Sequence, residues 1–262
     1  PQMPAGFLVT IGLKDGAPDC STLKKIDVTG LAEISPEDPE PEFVSINANG
    51  EIALTLQENN HIVIIDGKSG KVTSHFSAGT VDLKGIDTKT DGQLKFTDSQ
   101  DARKREPDAV KWLDNDRIVI ANEGDWQGGS RGFTIFDKTG NLLYEANSSF
   151  EHAVAAFGHY PEKRSKAKGI EPEGLETATF GNGKYFFVLA ERASVVGVYK
   201  DTGGEPQLTQ ILPSGISPEG AVAIPSRNLL VTANEADLVE DGGARSHVMI
   251  YERAEGEAAY PQ

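Results

Sequence analysis

Four short acidic phrases return along the chain: Glu40-Pro41-Glu42, Glu106-Pro107-Asp108, Glu171-Pro172-Glu173-Gly174 and Ser217-Pro218-Glu219-Gly220. A second phrase follows each by 15 to 18 residues: Glu58-Asn59-Asn60, Asn122-Glu123-Gly124-Asp125, Glu191-Arg192 and Asn234-Glu235-Ala236-Asp237. Carboxylates and amide oxygens gathered in this way are what a hard cation such as calcium prefers, and an ion relieves the repulsion among them. Glu42, Asp108, Glu173 and Glu219 are the candidate metal ligands. Glu58, Asn59, Asn122, Glu123, Asp125, Glu191, Arg192, Asn234 and Glu235, with Lys168 just ahead of the third phrase, are the candidates for ligand binding. A structural role competes: proline fixes a turn, and a carboxylate at a tight turn accepts backbone N–H bonds from a neighbouring unit.

Other chemistry is thinly represented. The basic runs Arg103-Lys104-Arg105 and Lys163-Arg164, with Lys166 and Lys168, precede two of the acidic phrases. They either hold an anionic substrate beside the carboxylates or neutralise an acidic rim. Asp87-Thr88-Lys89-Thr90-Asp91-Gly92, with Asp98 at the twelfth place, half-matches a calcium loop. Lys89 stands at a ligand position and no flanking helices are evident, so a solvated loop is expected. His61, His75, His152, His159 and His247 show no metal spacing, and the single Cys20 resembles no catalytic or metal motif. Trp112 reads as core and Trp126 as a loop anchor. No nucleophile elbow, P-loop or zinc motif is present.

The recurrence of the phrases marks a repeat architecture, and the elements that must position them are strands. Phe43–Ile46, Ile52–Leu56, His61–Asp66 and Lys71–Phe76 are short apolar runs separated by Asn-Ala-Asn-Gly, Glu-Asn-Asn and Gly-Lys-Ser-Gly turns. That is an antiparallel meander of four strands. The pattern returns in Arg117–Ile120, Gly132–Phe136 and Asn141–Tyr144, then in Lys184–Ala190, Val195–Tyr199 and Gln207–Leu212, and finally in Leu229–Ala233 and His247–Tyr251. Meanders in units of about 45 residues are the signature of a β-propeller. The expected fold is all-β, with four-stranded antiparallel blades at about 39–105, 106–168, 169–215 and 216–262 after a leading fragment at 1–38. Successive phrases lie 66, 65 and 46 residues apart, so loops are inserted at about 77–105 and 148–170. One short helix, around Phe150–Phe157, is expected to end at Gly158 and Pro161. First and third strands of a meander start at the same face, so both families of carboxylates and both insertions belong on one face, the Glu-Pro phrases nearest the axis.

The chain has 262 residues, 25 basic against 40 acidic side chains and a net charge of -15. Such a surface repels nucleic acid and anionic lipid. No apolar run approaches the roughly 20 residues of a spanning helix. The chain opens at Pro1 and closes in Glu255-Gly256-Glu257-Ala258-Ala259-Tyr260-Pro261-Gln262, where the next strand of the repeat is due, so a piece of a longer protein is expected.

The ordered phrases Glu40–Phe43 with Leu56–Asn60, Pro107–Ala109 with Ala121–Asp125, Lys168–Gly174, and Pro218–Gly220 with Ala233–Glu235 resemble the choice-of-anchor I family over about residues 38–237. The resemblance implies a bacterial, mostly exported β-propeller of about seven blades, with this chain its C-terminal part and its location extracellular or periplasmic. Some members carry alkaline-phosphatase or phytase-esterase-like labels, which rest on analogy, and fold does not fix function. The short segment 126–131 and the acidic Asp237–Asp241 loop depart from the pattern. The leading expectation is a propeller that binds a small-molecule or protein ligand at its acidic face. A metal-dependent, phytase-like phosphoesterase using calcium or another divalent ion is the alternative, and a lactonase-like enzyme with one metal held by Glu and Asn is a further one. An incomplete ring is also expected to self-associate through its open edges and apolar blade faces.

Overall fold

In the computed structural model residues 3–254 are described; the closing stretch 255–262, where the next strand is due, lies outside them. A hairpin of β1 (Leu8–Lys14) and β2 (Ala17–Ile26) leads the chain. Blade I follows as β3 (Pro41–Ile46), β4 (Glu51–Leu56), β5 (His61–Asp66) and β6 (Lys71–Ser77). A second hairpin, β7 (Thr80–Ile86) with β8 (Asp98–Lys104), precedes blade II, which is β9 (Val110–Trp112), β10 (Arg117–Ala121), β11 (Phe133–Asp137) and β12 (Leu142–Glu145). After α1 (Ser149–Ala156) comes blade III: β13 (Pro172–Phe180), β14 (Gly183–Ala190), β15 (Val195–Lys200) and β16 (Gln207–Pro213). Blade IV has β17 (Pro218–Ile224), β18 (Leu229–Asn234) and β19 (His247–Glu252), three strands among the described residues. Every blade is antiparallel with its strands in chain order. The first strands are neighbours in series, β3 beside β9, β9 beside β13 and β13 beside β17, which places them along the axis of a β-propeller.

The middle strands show why these residues stack as blades. Strands such as β5 (His-Ile-Val-Ile-Ile-Asp) and β10 (Arg-Ile-Val-Ile-Ala) are apolar on both faces because each blade is covered on both sides. Ala53, Ile62 and Ile64 of blade I meet Val110, Trp112, Ile118 and Ile120 of blade II. The opposite face of blade II presents Val119, Phe133 and Ile135 to Phe186, Val188 and Tyr199 of blade III. Phe187, Leu189, Val196 and Val198 then pack on Leu230 of blade IV. On the leading side, Ile26 and Val28 cover Ile52, Leu54, Val63 and Ile65 of blade I. Each large side chain so buried contributes about 1.5–3 kcal/mol.

The first insertion has strands where the sequence suggests bare loop, and the second carries the short helix expected around Phe150–Phe157. Residues 77–105 contain β7–β8, and residues 148–170 contain α1 and a single 3-10 turn at Glu162–Arg164. The alternation in β7 (Thr-Val-Asp-Leu-Lys-Gly-Ile) buries Val81, Leu83 and Ile86 as a small core of their own. Helix α1 stops at Gly158, whose φ of 76° is left-handed. It docks through Phe150, whose ring lies 2.7 Å from where a Cβ on Gly197 of β15 would stand, so only glycine lets the helix sit on blade III. The half-matched calcium loop is the β7–β8 connection. There Asp98 accepts from Thr88 Oγ1 at 2.6 Å, and buried Asp87 accepts from Ser165 Oγ at 3.0 Å. Trp112 is core, its Nε1 donating to the Ser45 carbonyl, while Trp126 is exposed. His61 is buried at the head of β5 with Nε2 3.0 Å from His75 Nδ1, and burial foremost, then His75, lowers its pKa to about 4.

Candidate functional site: the acidic axial mouth

A single backbone bond of 3.0 Å clips the two acidic phrases together in every blade. The N–H groups of Gln57, Gly124, Glu191 and Glu235 donate to the carbonyls of Glu40, Glu106, Glu171 and Ser217. Both families of carboxylates therefore stand at one end of the blades, where first strands begin and second strands turn into third. The residue before the proline is left-handed in three blades, with φ of 44° at Glu106, 49° at Glu171 and 56° at Ser217. Such a residue is strained and persists only when its surroundings hold it.

Two glutamates provide that hold. The Glu106 carboxylate is fully buried and accepts the backbone N–H groups of Asp125, Trp126 and Gln127 at 2.9–3.1 Å, closing the 123–129 loop beneath it. Its own N–H donates to Asn60 Oδ1 at 2.8 Å. Glu171, also fully buried, is bound by Arg164 Nε at 2.9 Å and Arg192 Nε at 3.1 Å, with Lys168 Nζ 3.7 Å away. Lys168 also meets Glu123 Oε1 at 3.0 Å and the Gly124 carbonyl, and Gln57 Nε2 donates to the other Glu123 oxygen at 2.7 Å. Arg192 meets Glu191 at 2.6 Å. Ligand atoms of Glu123, Glu171 and Glu191 lie within 4.8 Å of one another, close enough for a metal, but lysine and arginine already supply the positive charge there. The second insertion is what delivers Arg164 and Lys168 to this place.

The inner carboxylates differ. Glu42, Asp108, Glu173 and Glu219 each feel the charge of other members of the cluster, with Glu123 a neighbour common to all four. Burial is the first cause at Asp108, followed by Glu123 and Glu42, and together they push its pKa up to about 8. Burial and then Glu123 raise Glu42; burial and then Glu235 raise Glu219. Burial and then the charge of Glu191 push Glu173 up to about 10, while burial raises Glu191 against the opposing pull of Arg192. Gly174 explains how the strands come so close: a Cβ there would stand 2.0 Å from the Glu219 carbonyl. The glycine of the third phrase lets β13 and β17 approach at the mouth.

The sequence-predicted residues thus divide. Asp108, Glu173, Glu42 and Glu219 converge, with Glu123, Asp125, Glu191 and Glu235 beside them. Glu58 is half-buried at the equivalent turn of blade I. Asn59, Asn122 and Asn234 are buried and hold backbone or strands. Asn59 Oδ1 accepts from Glu40 N at 2.8 Å, Asn122 Nδ2 donates to Thr134 Oγ1 at 2.8 Å, and Asn234 Nδ2 donates to the His247 carbonyl at 3.1 Å. Lys168 and Arg192 are the internal counter-ions described above. Sequence reasoning did not single out Glu106, Glu171 or Gln57, although their place before proline, or before the second phrase, was visible. A separate concavity of about 900 Å³ opens between blades III and IV, lined by Phe180, Tyr185, Phe187, Leu230, Tyr251 and Arg253. It contains none of the sequence-predicted site residues.

A blade stack with this clipped acidic repeat defines a class of propeller, and comparison with known families identifies it. The chain belongs to the choice-of-anchor I domain family, whose model matches residues 24–128 and 127–204. No curated protein matches the chain. Solved structures that resemble it include hydrazine synthase of Kuenenia stuttgartiensis, with 13% identity and a TM-score of 0.47 over 82% of this chain and 46% of that one. A streptogramin B lyase structure aligns with 12% identity and a TM-score of 0.43 over 85% and 57%. A mitotic checkpoint complex chain aligns with 11% identity and a TM-score of 0.45 over 74% and 46%. The chain spans about half the length of these proteins, and none carries an argument about function.

Proposed function

We propose that the protein is a binding propeller, exported from the cytoplasm, that receives a cation or the cationic part of a partner at its axial acidic mouth. The division of the carboxylates supports this reading. Glu106 and Glu171 are neutralised by backbone N–H groups, arginine and lysine, whereas burial and mutual repulsion raise Glu42, Asp108, Glu173 and Glu219. Asp108, raised to about 8, and Glu173, raised to about 10, hold protons at neutral pH that a bound cation displaces. Calcium is the simplest such cation because every candidate ligand is an oxygen. Family membership supports the location, since the resemblance implies exported proteins and no helix is long and apolar enough to cross a membrane among the described residues.

The phosphoesterase alternative needs free cations to grip a phosphate. Arg105 instead bonds Glu145 at 2.7 Å, Lys104 bonds Gln127 at 2.8 Å, Arg103 donates to the Gly129 carbonyl at 3.2 Å, and Arg164 and Lys168 serve Glu171 and Glu123, which leaves the exposed Lys163 and Lys166 of the basic runs for that role. Calorimetric titration with calcium, run beside an aryl phosphate hydrolysis assay, separates the two. Saturable calcium binding without turnover supports binding alone. Calcium-dependent turnover abolished by Glu173→Gln supports the hydrolase, and neither binding nor turnover removes both.

A further inference from the structure

Glu123 sits at the centre of the mouth's charge, and one lysine neutralises it. Its carboxylate is a charged neighbour of Glu42, Asp108, Glu173 and Glu219 alike. Gln57 Nε2, a neutral amide, holds one of its oxygens at 2.7 Å. The other meets Lys168 Nζ at 3.0 Å, and among the described residues no other cation pairs with Glu123. The Lys168 side chain is 17% exposed and lies in a slot made by glycine. A Cβ on Gly129 would stand 3.1 Å from Lys168 Cδ and 3.2 Å from its Cγ, so a larger residue there would crowd the stem. The backbone on either side is pinned. Fully buried Arg131 donates to the Ser165 carbonyl at 2.7 Å, and Gly169 is left-handed, with φ of 65°, where a Cβ would collide with Glu151. The second insertion therefore aims an ammonium at the mouth from a rigid base.

The groups around that ammonium are held in place without it. Glu106 closes the 123–129 loop through three backbone N–H groups. Glu171 keeps Arg164 at 2.9 Å and Arg192 at 3.1 Å. What Lys168 alone supplies is positive charge at Glu123. We infer that Lys168 is a built-in competitor that regulates the acidic mouth: its tethered ammonium occupies Glu123, withholds that carboxylate from the inner four, and so weakens the uptake of a divalent cation from outside. The inference rests on the cation-binding reading of the mouth. A tethered group acts at high effective concentration, so an incoming ion either displaces the lysine or binds without Glu123. Removing the lysine's charge adds Glu123 to the available ligands and deepens the negative potential in a partly buried place that salt screens weakly.

Calorimetric titration of the full chain with calcium, at pH 8 and low salt, compares the parent with Lys168→Met, whose stem still fills the slot. Binding about tenfold tighter or more is expected in the variant. Lys71→Met, which removes an exposed charge at the opposite end of blade I, leaves the affinity unchanged. If Lys168→Met loses the native circular dichroism spectrum, Lys168→Gln, whose amide still donates to the Gly124 carbonyl, is titrated instead. A parent that binds calcium beside a folded variant that binds it no more tightly overturns the inference and leaves the reading of the mouth standing. Binding seen in the Lys168 variant alone supports the inference and contradicts that reading for the parent. Binding in neither removes both. Equal tightening in Lys71→Met also overturns the inference, because the effect is then one of net charge, and so does a failure of both Lys168 variants to fold, which makes the lysine a structural support.

Discussion

At the scale of single residues, the mouth contains carboxylates of two kinds, and they respond oppositely to substitution. Glu106 is buried under three backbone donors, so Glu106→Ala leaves those N–H groups unpaired and costs about 3 kcal/mol. Urea unfolding measures that loss, and hydrogen exchange reports the loosening of residues 123–129. Asp108 behaves the other way. Its folded pKa of about 8 lies above the ordinary 3.8, so between these values the native state holds a proton that the unfolded chain releases. The stability linked to that proton is complete below pH 3.8 and is lost as pH rises through about 8. Without added cations, the protein is therefore more stable near pH 5 than near pH 9, and Glu42 and Glu219, also raised, add to the slope. Asp108→Asn flattens the slope and stabilises the protein at pH 9 by about 1–3 kcal/mol, read from urea melts at the two pH values. A stability that rises between pH 5 and pH 9 would show that the inner carboxylates do not repel.

At the scale of elements, Gly174 and the insertions set the geometry. Gly174→Ala forces β13 from β17, because the new methyl group meets backbone and not a flexible side chain, and a loss of about 2–3 kcal/mol is expected in the same melts. The blades were legible in the sequence because their middle strands are apolar on both faces. His61–Asp66 is read residue for residue, and Arg117–Ile120 and Val195–Tyr199 fall within one residue of β10 and β15. The first strands of blades II to IV were not delimited, for a physical reason. β9 has three residues, and β13 and β17 carry the glutamates and glycines of the mouth, so apolar alternation is diluted where the axis needs polar side chains. The common face for both acidic families followed from meander topology alone. What could not be read was which carboxylates are neutralised, because Arg164 and Lys168 reach Glu171 and Glu123 only once the second insertion folds back, held by α1 and the Arg131–Glu151 pair.

At the scale of the whole molecule, a net charge of -15 and an axial cluster of raised carboxyl groups are the physical basis of the proposal that this propeller meets positive charge at its mouth. The field weakens with salt, so any cation taken up at the mouth binds more tightly at low ionic strength. Thermal melting at pH 8, with calcium or with chelator, tests that proposal most directly. Calcium at about a hundredfold excess over its dissociation constant stabilises the fold by about 2.7 kcal/mol, a rise of roughly 5–10 °C in Tm. Chelator reverses the rise, and Glu173→Gln, still folded, shows a smaller one. An unchanged Tm in the parent protein across the whole calcium range contradicts a calcium site at the mouth.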